Sequence, residues 1–268
     1  NTTGHEYDGI KEYDNPMPKW WQGLYWGGVA FFIFYVLAYP ALGSYKGFLG
    51  WTSVGEHDKD KAAYDAKYEP IFKAFAAKPV EELAQDEKAM KIAGRLFVNN
   101  CAACHGADAR GAKGYPNLTD NDWLYGGEPA QIVETITNGR LAVEGGSKMP
   151  AWGETLGEQG VKEVAAYVLT LSERKLSEAD QKLAEAGQAR FAVCAGCHGA
   201  DGRGMHAVGA PNLTDTIWLY GGSQKTVEET IRHGRNGAMP AWEARLGKEK
   251  VHLLAAYVYS LSHGGAKH

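Results

Sequence analysis

All four cysteines of the chain fall in two copies of one five-residue pattern, Cys101-Ala102-Ala103-Cys104-His105 and Cys194-Ala195-Gly196-Cys197-His198. Two thiols one helical turn apart, followed at once by an imidazole, form the attachment signature of a c-type haem. The thiols form thioethers to the haem, and the imidazole ligates its iron. Two disulfides or one four-thiolate zinc site would also use four cysteines, yet neither needs a histidine directly after each pair. The pattern predicts two covalently bound haems c. Cys101, Cys104, Cys194 and Cys197 would be the attachment points, with His105 and His198 as proximal iron ligands.

An iron with one histidine needs a sixth ligand or an open face. Of the five methionines, only Met149 and Met239 recur at equivalent places, each before Pro-Ala-Trp. They are the candidate axial ligands, since His/Met ligation raises a haem's potential. For an ordinary methionine the competing reading is core filler. The sequence leaves open which methionine serves which haem, including a pairing swapped between the two halves. Arg140 and Arg235 recur as candidate propionate partners or plain surface charges. Trp123, Trp218, Tyr125 and Tyr220 can pack on a haem edge or fill a core. The Pro116 and Pro211 carbonyls are candidates for orienting the proximal imidazoles. His57, His206, His233 and His252 have no repeat partner, and His5, His263 and His268 lie near the termini, so all seven read as solvated or structurally satisfied.

The elements that must position these groups also come in duplicate. Pro116-Asn117-Leu118-Thr119-Asp120 and Trp123-Leu124-Tyr125-Gly126-Gly127 return 95 residues later, and Met149-Pro150-Ala151-Trp152 and Ala165-Ala166-Tyr167-Val168 return 90 later. The first copy therefore carries five extra residues ahead of its methionine. Helical spacing is expected over Glu87 to Val98 and Glu178 to Val193, with Gly94 and Gly187 each seven residues before a motif, and over Val161 to Leu171 and Val251 to Leu261. Gly- and Pro-containing loops, 106–115 and 199–210, suit chain wrapped around a flat cofactor. So short a domain has a thin core that a haem would enlarge.

Residues 20–45 carry no charge and exceed the roughly 20 residues that cross a bilayer core. Trp20, Trp21, Tyr25 and Trp26 at one end, with Tyr39 and Tyr45 towards the other, resemble interfacial belts, and Pro40 is expected to mark the helix end. The acidic stretch before it argues against a signal peptide and for a retained anchor. Residues 57–77 read as an amphipathic helix with Tyr64, Tyr68, Ile71, Phe72 and Phe75 on one face, either docking or a plain spacer. The net charge of -4, without a basic block, gives no indication of nucleic acid. No nucleophile triad, phosphate loop or carboxylate pair is present, so no catalytic residue is assigned. With both irons six-coordinate, the remaining chemistry is one-electron transfer.

Thr3-Gly4-His5-Glu6-Tyr7-Asp8-Gly9-Ile10, the following Glu12-Tyr13-Asp14-Asn15-Pro16-Met17-Pro18, Trp20-Trp21 and Tyr39-Pro40-Ala41-Leu42-Gly43 resemble the dihaem subunit III of cbb3-type cytochrome c oxidases. The resemblance spans anchor, linker and both haem motifs. It implies an all-α protein with one N-terminal transmembrane helix followed by two tandem class I cytochrome c domains. The division would be an N-terminal cytoplasmic segment 1–19, the transmembrane helix 20–45, a linker 46–85, and cytochrome domains 86–174 and 175–268. The chain would sit in the bacterial inner membrane with its haem domains periplasmic. It would pass electrons from soluble or membrane cytochrome c, through a monohaem subunit, to the haem-copper subunit that reduces oxygen and pumps protons. Some members of this family begin with a further membrane helix. The alternatives are a membrane-anchored dihaem cytochrome serving a periplasmic dehydrogenase and, from the enzyme class, a dihaem peroxidase.

Overall fold

The computed structural model describes residues 1–141, 148–172 and 174–264. It divides into two units, Asn1–Glu69 and Pro70–His268. The first opens with a hairpin that the helical expectation does not contain. Strands β1 (Thr2–Tyr7) and β2 (Ile10–Tyr13) pair antiparallel, with Tyr7 opposite Ile10. Asp8 at φ 49° and Gly9 at φ 81° form the two-residue turn between them. Both need positive φ, which is why Asp-Gly is a strong hairpin signal.

Helix α1 (Lys19–Ala38) is the one described helix long and apolar enough to cross a membrane. Its 20 residues rise about 30 Å, the thickness of a hydrocarbon core. It stops short of residue 45 because Tyr39, the residue before Pro40, is extended at φ -114°, ψ 161°, as chain before proline prefers. The returning loop caps the helix end. Phe48 N–H and the Tyr45 hydroxyl donate to the Leu37 carbonyl, and Leu49 N–H donates to that of Ala38. These carbonyls would otherwise lack partners. Helix α2 (Ser53–Ala76) covers the expected amphipathic stretch, and Phe72 is the member of its aromatic face that is buried.

The second unit is built from α3 (Val80–Leu83), α4 (Glu87–Asn100), α5 (Ala102–His105), α6 (Pro129–Asn138), α7 (Gly153–Leu171), α8 (Glu178–Arg190), α9 (Ala192–His198), α10 (Gln224–His233), α11 (Glu243–Leu246) and α12 (Lys248–His263). Four two-residue strands accompany them: β3 (Arg140–Leu141), β4 (Lys148–Met149), β5 (Arg235–Asn236) and β6 (Ala238–Met239). Side-chain caps start the helices that lead into the two motifs. Asp86 accepts from Lys88 N–H at 3.0 Å and Ala89 N–H at 3.1 Å, and Ser177 Oγ accepts from Asp180 N–H at 3.2 Å. Gly157, at φ 67°, breaks α7 where Gly247 separates α11 from α12.

The halves of this unit exchange their C-terminal parts. Helix α12 packs on α3, α4 and α6, whereas α7 packs on α8 and α10. The short strands cross in the same sense: β3 pairs with β6, Arg140 opposite Met239, and β4 pairs with β5, Met149 opposite Arg235. Trp152 N–H donates to the Ile231 carbonyl at 2.9 Å, and Trp242 N–H to that of Ile136 at 3.1 Å. Two lobes result. Lobe I joins α3–α6 to β6, α11 and α12; lobe II joins α8–α10 to β4 and α7. Lobe II has Val161, Val164, Ala165, Val168 and Leu169 of α7 packed with Phe191, Val227 and Ile231. Burying each valine or leucine among them is worth about 1.5–3 kcal/mol, so the exchanged helix supplies much of the lobe's core.

Candidate functional site

Cys104 and His105 sit on α5, with Cys101 at its N-cap, and Cys194, Cys197 and His198 sit on α9; each helix is closed by a glycine at φ near 80°, Gly106 and Gly199. His105 Nδ1 lies 3.1 Å from the Pro116 carbonyl, and His198 Nδ1 lies 3.1 Å from that of Pro211. A carbonyl only accepts, so both rings carry their proton on Nδ1. Each Nε2 keeps its lone pair for a metal. The histidine backbones are fixed as well, since the carbonyls of His105 and His198 accept from Gly111 N–H and Gly204 N–H, each at 2.7 Å. Burial holds both imidazoles below the usual histidine range, partly offset by the proline carbonyls. A neutral imidazole is the form that binds a metal.

The cysteines do not suit the zinc or disulfide alternatives. All four are free, and among the described residues no three His, Cys, Asp or Glu side chains gather into a metal-holding group. Burial, with Cys104 adding to it, pushes the Cys101 thiol up to about 11, and burial raises Cys194 in the same way. Neither is a ready thiolate at neutral pH.

Met149 packs against the lobe II core together with Cys194, Ala195, Leu213 and Trp218. Its half-chain partner motif, Cys101 to His105, lies in the other lobe. Met239 stands in β6 opposite Arg140, in lobe I. Two glycines make this crossing possible. Gly139 and Gly234, at φ 67° and 69°, lie so close to the Met239 and Met149 carbonyls that a Cβ at either place would collide with backbone. The stretch ahead of Met149 that holds the five extra residues runs through 142–147, which are outside the described residues.

Both repeated arginines are held alike. Arg140 donates from Nη2 to Thr135 Oγ1 at 2.8 Å, pairs with Glu134 at 3.4 Å and lies 4.2 Å from the Tyr125 ring centre. Arg235 donates from Nε to Thr230 Oγ1 at 3.0 Å, pairs with Glu229 at 3.2 Å and lies 4.4 Å from the Tyr220 ring. Trp123 and Trp218 close over Gly127 and Gly222, where a Cβ would overlap the indoles. Trp218 Nε1 is buried without a hydrogen-bond partner. Such a donor carries a desolvation cost unless an acceptor reaches it. The unspent Nε2 lone pairs and this unspent indole donor are what a haem, with a coordinating iron and peripheral carboxylates, would satisfy. The residues present fit that group.

The unmatched histidines are engaged elsewhere or exposed. His252 Nε2 donates to the Lys78 carbonyl at 2.8 Å, His263 stacks on Tyr259, His5 stacks with Tyr7, and His57 stands beside Asp58. His206 opens an exposed 3-10 turn and His233 ends α10; His268 lies outside the described residues. Burial, with Asp215 and Asp120 nearby, pushes the Asp122 carboxyl up to about 6, opposed by His206. Gly139 and Gly234 repeat with their arginines in the sequence, whereas Thr135 and Thr230 were not singled out from it. Their recurrence at the 95-residue offset is the signal that marks them.

Residues 1–46 match the family model described as the N-terminal domain of cytochrome oxidase-cbb3, FixP. Residues 88–168 and 182–258 match that of cytochrome C oxidase, cbb3-type, subunit III. The chain is 50% identical over 264 residues to a "Cbb3-type cytochrome c oxidase subunit CcoP" of Rubrivivax gelatinosus, covering 98% of this chain and 84% of that protein. It is 40% identical over 276 residues to a "Cbb3-type cytochrome c oxidase subunit FixP" of Sinorhizobium medicae, covering 98% and 94%. A subunit CcoP of Cereibacter sphaeroides is 38% identical over 278 residues, covering 98% and 95%.

Proposed function

The chain belongs to the family of subunit III of cbb3-type cytochrome c oxidases, and we propose that it works there as two interlocked class I cytochrome c lobes, each holding one covalent haem c. It is an electron-transfer subunit of that oxidase complex, anchored in the bacterial inner membrane through α1 with its C-terminal lobes on the periplasmic side. Cys101 and Cys104 attach the haem of lobe I, and Cys194 and Cys197 that of lobe II. His105 and Met239 would ligate the iron of the first, and His198 and Met149 that of the second.

The crossed strand pairing carries this reading, because it puts each methionine strand in the lobe of the other half's histidine. When bound, the haem supplies a one-electron couple, and His/Met ligation sets it in a high-potential range. The protein's residues do the rest. Pro116 and Pro211 hold the imidazole tautomer, the crossed methionines would supply the second ligand that leaves no site for substrate, and the apolar core excludes water. Electrons arrive from a donor cytochrome c and leave towards a monohaem cytochrome c subunit and the haem-copper subunit, with membrane lipid around α1.

Met149→Ala and Met239→Ala test the ligand set. Each is expected to convert one haem of two from a low-spin to a high-spin spectrum. In a chain whose lobe I cysteines are replaced by alanine, Met149→Ala should change the remaining haem and Met239→Ala should not; the reverse would establish pairing within each half. Co-purification of the full chain with a copper-containing oxygen reductase is expected, and a flavin or quinoprotein partner in its place would overturn the assignment.

A further inference from the structure

The two lobes repeat their attachment motif, methionine, arginine–tyrosine pair and tryptophan, but lobe II adds a cation beside its tryptophan. Arg174, in the connection between α7 and α8, donates from Nη1 to the Gly222 carbonyl. Its guanidinium carbon lies 5.9 Å from the Trp218 ring centre. A Cβ placed on Gly222 would stand 2.8 Å from Trp218 Cδ1 and 2.9 Å from Arg174 Nη2, so indole edge and guanidinium converge over that glycine. Beside Cδ1 in the ring is Nε1, buried and unpartnered. The same indole packs in the core cluster with Met149 and Cys194. Ninety residues on, at the equivalent position after α12, stands Gly264, so among the described residues lobe I has no cation at that position.

A buried N–H without an acceptor beside a guanidinium with spare donors is complementary to one chemical group, a carboxylate. Charge-assisted pairing of this kind is stronger than a neutral hydrogen bond. We propose that Arg174 and Trp218 Nε1 form a carboxylate subsite for a haem propionate in lobe II alone, and that this subsite raises the potential of the haem attached at Cys194. An unpaired propionate stabilises the ferric iron by its negative charge. Pairing it with a cation removes that preference and favours the ferrous state. Arg140 and Arg235 act on both lobes alike and leave the asymmetry to Arg174. The inference rests on the dihaem reading above.

Redox titration of the membrane-anchored chain in detergent, followed in the visible spectrum, resolves the two haems as separate waves. Arg174→Gln is expected to shift one wave towards lower potential by about tenfold in the ferric/ferrous equilibrium constant, or about 59 mV for one electron, leaving the other in place. Trp218→Phe, which keeps the packing and removes the donor, should move the same wave in the same direction. Arg174→Lys should hold most of the wild-type value, which a mere tether to the Gly222 carbonyl would not predict for charge alone. If neither wave moves in Arg174→Gln, or if both waves move equally, the subsite is wrong. A haem-to-protein ratio below two, measured on the same samples, would instead overturn the dihaem reading itself.

Discussion

The helix crossing that closes lobe I and the one that closes lobe II do the same job with different chemistry. In lobe II, Arg190 of α8 pairs with Glu163 of α7 at 2.6 Å, and Gln159 supports the same carboxylate at 3.1 Å. In lobe I, Leu253 of α12 occupies the place of Glu163 and is fully buried. The buried residues of α4, Met90, Ala93 and Phe97, correspond to Ala184, Gly187 and Phe191 around α8. Phe97 meets Tyr257 at 5.3 Å between ring centres, and Phe191 meets Tyr167 at 5.2 Å. The equivalence is therefore offset by one residue from the cysteine count. Gly187 corresponds to Ala93, not to Gly94, and Arg190 corresponds to Leu96. Lobe II reaches its motif from Phe191 in one residue fewer, and its helix breaks before the motif, between α8 and α9. An aligned motif does not guarantee an aligned helix.

The largest break in this comparison is expected from Phe97→Ala. The ring is wholly buried, and truncating such a phenylalanine costs about 3–5 kcal/mol; chemical denaturation of the haem-loaded chain would read it. Phe191→Ala should fall in the same range, and a loss under half as large would show that the two rings are not equivalent.

Next come the two glycines, which should respond with opposite sign. A Cβ on Gly187 would overlap the Glu163 carbonyl, whereas one on Gly94 would meet Tyr257 Cε2 at 3.4 Å, an ordinary contact. Gly187→Ala is expected to cost about 1–3 kcal/mol through overpacking. Gly94→Ala should gain up to about 1 kcal/mol from helix propensity. Equal effects in thermal melts would restore the simple seven-residue equivalence.

The smallest difference is in pH. Gln159, and then Arg190, hold the Glu163 carboxyl below the usual glutamate range of 4.5, against the effect of burial. A depressed carboxylate stabilises the fold above its unfolded value and loses that contribution as pH falls through the folded one. Acidification from about pH 4.5 downward should therefore weaken the lobe II crossing and spare that of lobe I. Glu163→Leu with Arg190→Leu, which copies the lobe I residues, is expected to be neutral or stabilising at pH 7, as replacing ion pairs with packed apolar groups often is. The double variant should also lose less of its melting temperature than the parent on going to pH 3.5; an equal loss would mean that the ion pair is silent.

Much of the site was legible because its chemistry is local. Cys101 to His105 and Cys194 to His198 need only their own sequence to mark the proposed sites of attachment and ligation. Pro116 and Pro211 could be named because a ligand imidazole needs an acceptor for its other nitrogen. The Asp8-Gly9 turn was legible too, though the helical reading passed over it. The register of α8 was not, since a one-residue change of connection leaves the motif intact while rotating every residue behind it by about 100°.

What the sequence determined by itself is the inventory: two attachment motifs, two methionines, a duplicated set of helices and one span for a membrane. Which half completes which was decided only by the tertiary structure. Tyr167 and Tyr257, Met149 and Met239, and the helices that carry them are near copies, so either C-terminal helix offers either partner almost the same apolar face. Chain connection settles what composition leaves degenerate: α8 follows α7 after only six residues and packs on it, and α12 is left to cover α4.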